Sequence, residues 1–407
     1  MKKITAELIA IGSELLGPSK TDTNSLYITK QLNKIGIEVG YKTVVGDHRD
    51  NLKNAFQTAL SRTDIIISTG GLGPTEDDFT KDIIAELCGV KLKLNEEILK
   101  NLKDRFAKRG IEFPENSKKM ALIPENATAI PNGPGAAPGI YIECRGKTII
   151  LLPGVPREMQ FMVENFVIEK LNEKYKLPKK FSITMNFASI PEAVIDNTLK
   201  ELPFNKHQIE YAILASLRKV QVILSGYNEK KVSDFSEKVI SHFPEAFFGY
   251  GDIFLENAVL DLLTEKNKTV SFAESCTGGW LGKLITDIPG SSKAFLGGIV
   301  SYSNEAKINI LKVPKETIEK FGAVSPQTAF FMANNVRKIF NSDFGVGITG
   351  VAGPSQSEKK PAGLVYIAAC SNEKTIVKKY NFRGNRDMVR QQSTSRAFDL
   401  LRREFLK

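Results

Sequence analysis

Ala273-Glu274-Ser275-Cys276-Thr277-Gly278-Gly279 stands where a short apolar run, 268–273, gives way to a helix-like stretch, 277–286. A strand that ends on a hydroxyl residue and two glycines, with a helix behind it, is one unit of an alternating α/β sheet. The alternation continues outward: helix 255–266 precedes it, and strand 297–302, helices 304–311 and 325–339, strands 343–349, 363–370 and 374–381 and a closing helix 385–405 follow. Residues 180–250 change character, with β-rich stretches 181–189 and 219–226 among helix-like stretches 191–201 and 229–243, which reads as a small α+β unit. They hold no GXXG loop of the kind that clamps a nucleic-acid backbone, so a scaffolding role is expected of them. Nearest the N-terminus, apolar runs 4–11 and 64–69 end at glycine and alternate with helix-like stretches 23–35, 50–61 and 79–88. A strand pair, 139–143 and 147–152, then leads into Pro153-Gly154-Val155-Pro156, a turn that opens a helix with Pro156 in its first turn. The expected fold class is multidomain α/β, divided 1–172, 173–251 and 252–407.

A chain of 407 residues exceeds one ordinary core. Its 42% hydrophobic and 25% charged content is that of a globular protein. No apolar run of about 18 residues exists, and Glu7 and Glu14 interrupt the first strand region, so neither a membrane span nor a secretory leader is expected. Cys88, Cys144, Cys276 and Cys370 are scattered and form no CxxC pair, suggesting neither a zinc site nor a disulfide framework and pointing to the cytoplasm. The net charge of +10 is spread along the chain, with few clusters beyond Lys359-Lys360 and Arg402-Arg403, so solvated faces explain it better than nucleic-acid binding. A basic surface does attract phosphorylated anions.

Ser275 is open to two readings: a helix cap, or a nucleophile whose oxyanion would be met by the open amides of Thr277, Gly278 and Gly279. The three histidines, His48, His207 and His242, all precede Asp252, which excludes a Ser-His-Asp triad inside the C-terminal portion. An activated serine there needs another base, and Ser301-Tyr302-Ser303-Asn304-Glu305-Ala306-Lys307 offers Tyr302 at a strand end and Lys307 in the next helix. Lys307 can act as a base only if burial lowers its pKa; otherwise it is a surface lysine. Cys276 is a rival nucleophile. Thr349, Gly350 and Gly353, in the glycine-rich loop 347–354, suit close approach of a ligand, and Arg386 and Arg390 share one helix face suited to a phosphate.

These motifs, with Gly322-Ala323-Val324-Ser325, Gly350-Val351-Ala352-Gly353-Pro354 and Lys360-Pro361-Ala362-Gly363, occur in the order found in the nicotinamide-nucleotide amidohydrolase family, which the whole third domain resembles. The resemblance implies hydrolysis of nicotinamide mononucleotide to nicotinate mononucleotide and ammonia, through an acyl-enzyme on Ser275 assisted by Tyr302 and Lys307. It implies no metal or organic cofactor for that domain.

In the first domain, 68–81 follows an apolar strand and opens a helix, bringing Gly70, Gly71, Gly73, Asp77 and Asp78 to one crevice; it matches neither a GxGxxG fingerprint nor a P-loop. Glu14, Asp47 and Asp78, with Asp77 beside them, lie at or just beyond strand ends and are candidates to hold a divalent cation against a pyrophosphate. Helix caps and solvated turns are the alternative. This domain resembles the molybdopterin-binding fold. Ile11-Gly12-Ser13-Glu14, Asp22-Thr23-Asn24, 43–47, the glycine-rich turn and 152–159, which includes Pro153 and Gly154, resemble the competence/damage-inducible CinA family more narrowly. That resemblance implies metal-dependent ADP-ribose pyrophosphatase activity in the first domain, a KH-like middle unit and a homodimer. The segment 17–24 departs from the family's commoner form, which places its substrate contacts in doubt apart from Asn24. The alternative is a pterin- or nucleotide-binding adaptor acting through protein contacts in competence or DNA recombination.

Overall fold

The computed structural model describes residues 4–204 and 207–407, which fall into two compact units, Met1–Phe181 and Ser182–Lys407. In the first, β1 (Thr5–Ile11), α1 (Asn24–Lys34), β2 (Glu38–Val45), α2 (Arg49–Arg62), β3 (Ile65–Thr69) and α3 (Thr80–Cys88) alternate as the apolar runs demand. There follow β4 (Leu92–Leu94), α4 (Glu96–Ala107), β5 (Leu122–Pro124), β6 (Thr128–Ile130), β7 (Gly139–Cys144), β8 (Lys147–Leu152), α5 (Pro156–Met162) and α6 (Ile168–Tyr175). The main sheet runs β2-β1-β3-β8-β7-β6, parallel through β8 and antiparallel from there.

Because side chains alternate along a strand, β1 and β3 feed two cores. Ile9, Ile11 and Ile66 pack with Leu52, Phe56 and Ile83 on one face, while Leu8, Ile65 and Ile67 pack with Ile28, Met159 and Val163 on the other. With both faces covered, ligand access is left to the edge where the parallel strands end.

The second unit opens with a four-stranded sheet, ordered β10-β11-β9-β12, from β9 (Phe181–Phe187), β10 (Ile209–Ala215), β11 (Val220–Gly226) and β12 (Phe247–Tyr250). The helices α7 (Glu192–Glu201) and α8 (Glu229–His242) pack on this sheet through Ile195, Leu199, Val232, Phe235 and Val239. Then come α9 (Leu255–Glu265), β13 (Val270–Glu274), α10 (Trp280–Thr286), β14 (Phe295–Val300), α11 (Asn304–Asn309), α12 (Lys315–Phe321) and α13 (Pro326–Phe340). The chain closes with β15 (Phe344–Gly350), β16 (Leu364–Cys370), β17 (Thr375–Asn381) and α14 (Arg386–Leu401). These strands form the sheet β14-β13-β15-β16-β17, in which β14, β13 and β15 are parallel. Ser275, Ser301 and Val351, the residues just past those three strands, therefore meet at one edge.

Three expectations need correction. Helix α10 starts at Trp280 rather than 277, because Gly278 and Gly279 adopt φ of 61° and 88°, left-handed values that hold the chain in a turn for two more residues. Cys88 and Cys144 are joined in a disulfide across 56 residues, since the end of α3 lies against the end of β7, a proximity that spacing along the chain cannot reveal. β2, β10, α4 and α12 are additional elements; β2 is an edge strand whose outward polar residues hide its periodicity. Among the described residues no helix is long and apolar enough to cross a membrane.

Candidate active site

At the carboxyl edge of the second unit's large sheet, Ser275 N–H donates to the Ile348 carbonyl at 3.1 Å and Ser301 N–H to the Glu274 carbonyl at 2.8 Å. These bonds lock the end of β13 between its two neighbours. The Ser303 hydroxyl caps α11 by accepting the Ala306 N–H at 3.0 Å, so that helix begins at once and carries Lys307 back toward the strand ends.

Lys307 Nζ reaches Ser275 Oγ at 3.1 Å, the Ser301 carbonyl at 2.8 Å and the Tyr302 carbonyl at 3.3 Å. Lys307 is 2% exposed and Ser275 8%. Burial pulls the lysine pKa below its ordinary value, partly countered by Cys276 and Glu358. The partner set accommodates the neutral amine: two N–H groups serve the two carbonyls, and the lone pair is left for the serine O–H. Cys276 is buried and its thiol is pushed up to about 12 by desolvation, so it stays protonated at neutral pH and does not compete as a nucleophile.

The expected meeting of three side chains is a meeting of two. Tyr302 is 61% exposed, and its phenol oxygen accepts from Arg386 Nη2 at 2.8 Å rather than joining Ser275. Arg386 also donates to the Gly353 carbonyl at 2.9 Å, tying the glycine-rich loop to Tyr302. Arg390 donates to the Thr277 carbonyl at 2.7 Å and stacks 4.8 Å from the Trp280 ring centre. Thr349 supports the site from behind, through its hydroxyl on the Ala323 carbonyl at 2.7 Å. A Cβ on Gly350 would meet Val365 and the Leu364 carbonyl below 3 Å, so that glycine answers to strand packing.

Glu274 was silent in the sequence reading. Its buried carboxylate accepts the Leu281 and Gly282 N–H groups at 3.0 and 2.8 Å, satisfying two first-turn amides of α10 beyond the turn that was expected to serve an oxyanion. The amides left unpaired among the described residues are those of the turn itself, Cys276, Thr277 and Gly279. The Thr277 hydroxyl in the turn and the Ser301 hydroxyl beside it are buried without a partner. Only their hydroxyl character, in motifs already singled out, was available as a signal.

In the first unit, Gly12, Asp47, Gly70 and Gly154 follow β1, β2, β3 and β8, so the structure places them along one edge, at the ends of the parallel strands. A Cβ on Gly70 would lie 2.4 Å from the Ile11 carbonyl, and one on Gly71 2.1 Å from Thr80 Oγ1; only glycine permits that approach. Asn24 donates to the Gly154 carbonyl at 2.9 Å, and its Oδ1 is buried with no partner. Pro153 is buried beside it in the chain, and Gly73 faces Asp78, whose Oδ2 would be 2.6 Å from an added Cβ.

The carboxylates are not assembled for a cation. Glu14 pairs with Lys20 at 2.8 Å, which lowers its pKa; Asp47 accepts the Ser13 N–H at 2.8 Å; Asp78 accepts the Thr75 N–H at 2.9 Å. Among the described residues no three acidic, histidine or cysteine side chains are grouped to hold a metal ion. The expected set Glu14, Asp47 and Asp78 thus does not fit a cation, because each carboxylate is already engaged, Glu14 by Lys20, Asp47 by Ser13 of the neighbouring loop and Asp78 by Thr75. Lys81, which the sequence reading passed over, is buried, donates to the Lys119 carbonyl at 2.6 Å and is drawn down to about 8 by burial.

A two-site chain of this build corresponds to two family models: the molybdopterin-binding domain over residues 7–173, and the CinA C-terminal domain over 252–405. A CinA-like protein of Fervidobacterium nodosum is 42% identical, covering 100% of this chain and 99% of its own, and one of Dictyoglomus thermophilum is 40% identical, covering 98% and 99%. Among solved structures, the CinA protein of Thermoplasma acidophilum, described as of unknown function, is 36% identical over 41% of this chain and 96% of its own, with a TM-score of 0.38. The chain belongs to the CinA family.

Proposed function

We propose that residues 252–407 form a serine amidohydrolase that converts nicotinamide mononucleotide to nicotinate mononucleotide and ammonia. The observation that carries this reading is the 3.1 Å contact between Ser275 Oγ and the buried Lys307 Nζ. In a domain without histidine, an amine freed of its charge by burial is the base at hand.

Lys307 takes the serine proton as Oγ bonds to the carboxamide carbon, and the unpaired turn amides of Cys276, Thr277 and Gly279 face the resulting oxyanion. The proton passes to the nitrogen, the C–N bond breaks, and ammonia departs. Water then attacks the acyl carbon and gives its proton to Lys307; the C–Oγ bond breaks, Oγ takes that proton back from Lys307, and nicotinate mononucleotide leaves with Ser275 restored. Arg386 and Arg390 are the cations for the substrate's phosphate, and Tyr302 shapes the rim beside Arg386.

For the first unit the proposal is cleavage of an ADP-ribose-type pyrophosphate among the glycines at the ends of the parallel strands, with any divalent cation brought by the pyrophosphate itself and not resident on Glu14, Asp47 and Asp78. Its support is the close backbone approach that Gly70 and Gly71 allow at the strand ends and the unpartnered Asn24 Oδ1. No step is assigned to a cation, since the carboxylates are held on local partners. A homodimer and a cytoplasmic location complete the proposal and rest on the family resemblance alone, since the Cys88–Cys144 disulfide withdraws what the cysteine spacing suggested about compartment.

Incubating the purified chain with both nucleotides, with and without chelator, tests both parts. The expected outcome is chelator-resistant ammonia release that Ser275→Ala reduces by at least ~10³-fold and Cys276→Ala leaves largely intact, alongside chelator-sensitive release of AMP. Ammonia release surviving in Ser275→Ala would refute the first part, and absence of AMP under every metal tried would refute the second.

A further inference from the structure

Gly322-Ala323-Val324-Ser325 and Lys360-Pro361-Ala362-Gly363, two motifs with no part in the chemistry above, lie against each other in the second unit. The loop from β15 to β16, residues 351–363, folds over at its tip into a two-residue turn. There Ser357 N–H donates to the Lys360 carbonyl at 3.1 Å and Lys360 N–H to the Ser357 carbonyl at 2.8 Å. Glu358 and Lys359, inside that turn, have φ of 52° and 59°, left-handed values that glycine and asparagine adopt at least cost. Neither residue suits the turn, and what Glu358 finds there is a dock for its carboxylate.

Glu358 Oε1 accepts the Ala323 N–H at 2.9 Å, and Oε2 accepts the Val324 N–H at 3.3 Å. Lys360 Nζ closes the clasp, donating to Glu358 Oε2 at 2.9 Å and to the Phe321 carbonyl at 3.0 Å. A Cβ on Gly322 would overlap both Glu358 Oε2 and Lys360 Nζ, so glycine there is what lets the pair reach the backbone. The receiving turn has its own supports: the Ser325 and Thr328 hydroxyls donate to the Gly322 carbonyl, and the Thr349 hydroxyl to the Ala323 carbonyl. It is therefore the loop that depends on the clasp.

That loop forms one wall of the candidate active site. It leaves β15 at the edge where Ser275 stands, and its Gly353 carbonyl accepts from Arg386, whose guanidinium also donates to the Tyr302 phenol. Glu358 is near enough for its charge to act on Lys307. The geometry points to Glu358 as a positioning residue of the deamidase: with Lys360 it fastens the loop 351–363 to the turn 322–324, and so keeps Gly353, Arg386 and Tyr302 in place to receive the substrate. The inference rests on the deamidase reading of this site. Ser275 and Lys307 are held by other bonds, so the clasp acts on binding.

Steady-state kinetics of the full chain with nicotinamide mononucleotide test that role. Glu358→Ala should raise KM about tenfold and leave kcat within about threefold of wild type, the pattern of lost binding. Glu358→Gln, which keeps one acceptor oxygen for Ala323, recovers part of the KM. An unchanged KM in Glu358→Ala, or a fall in kcat alone, overturns the positioning role. Hydrogen exchange on the same proteins needs no substrate: the Ala323 and Val324 amides should exchange about tenfold faster in Glu358→Ala. Equal exchange overturns the clasp itself. Failure of the wild type to release ammonia would instead overturn the deamidase reading, with the clasp still judged by exchange.

Discussion

Lys307 and Glu14 both follow closely on the end of a parallel strand, yet the two sites they belong to are finished to different degrees. Lys307 is buried and its Nζ is held by three oxygens, one of them the candidate nucleophile. Glu14 is more than half exposed and ion-paired to Lys20, another exposed side chain. A buried group has its geometry and protonation dictated by the fold, whereas an exposed one can be redirected by whatever binds. The C-terminal site is thus organised in advance, and the N-terminal crevice carries its carboxylates on loops satisfied without a ligand.

The sharpest way to break this contrast is at Lys307. Lys307→Met removes the base and lowers ammonia release by roughly 10²–10⁴-fold. Lys307→Arg fails to restore it, since a guanidinium stays protonated. In the wild type the rate rises with pH, by about tenfold per unit, until the lowered lysine pKa is passed. The stability linkage has a definite sign. With the folded pKa lowered, the unfolded chain binds more protons between that value and 10.5, so unfolding free energy climbs with pH across that window. Denaturant melts of wild type and Lys307→Met at several pH values should show that slope reduced in the variant, with the share owed to the buried Lys81 left in both. A slope of equal size in both would mean that Lys307 is charged in the folded state.

Much of this architecture is legible in the sequence because apolar runs bounded by glycine announce strand-to-helix turns, as at 64–71 and 268–279. The same reading brought Ser275 and Lys307 together from their motifs. What it left out depends on contacts between distant segments. Nothing local distinguishes Glu274 as the acceptor for α10, or shows that Cys88 lies against Cys144. Tyr302 was expected to turn inward, but Arg386, 84 residues away, supplies its partner outside. The three carboxylates of the first unit were grouped because strand ends share an edge, and lying on one edge is a weaker condition than pointing at one atom.

Glu274 gives the next largest effect and sharpens the contrast from the structural side. Its carboxylate satisfies two buried N–H donors that would otherwise be stranded. Glu274→Ala should cost about 1–3 kcal/mol in chemical denaturation and lower kcat as the turn carrying Ser275 loosens. Glu274→Gln keeps one acceptor oxygen and recovers part of both. Equal stability for wild type and Glu274→Ala would show that α10 finds other acceptors and that the turn is not held from this side.

Glu14→Gln is expected to do least to stability and to say most about the first unit. The ion pair it breaks is exposed on both sides, so the loss should fall within ~1 kcal/mol. If the crevice cleaves pyrophosphates with this carboxylate taking part, AMP release from ADP-ribose falls while denaturation midpoints stay together. A drop in stability with turnover unchanged would make Glu14 a loop tether. The crevice would then depend on Asn24 and its glycines for binding, with the charge on Glu14 answering to Lys20 alone.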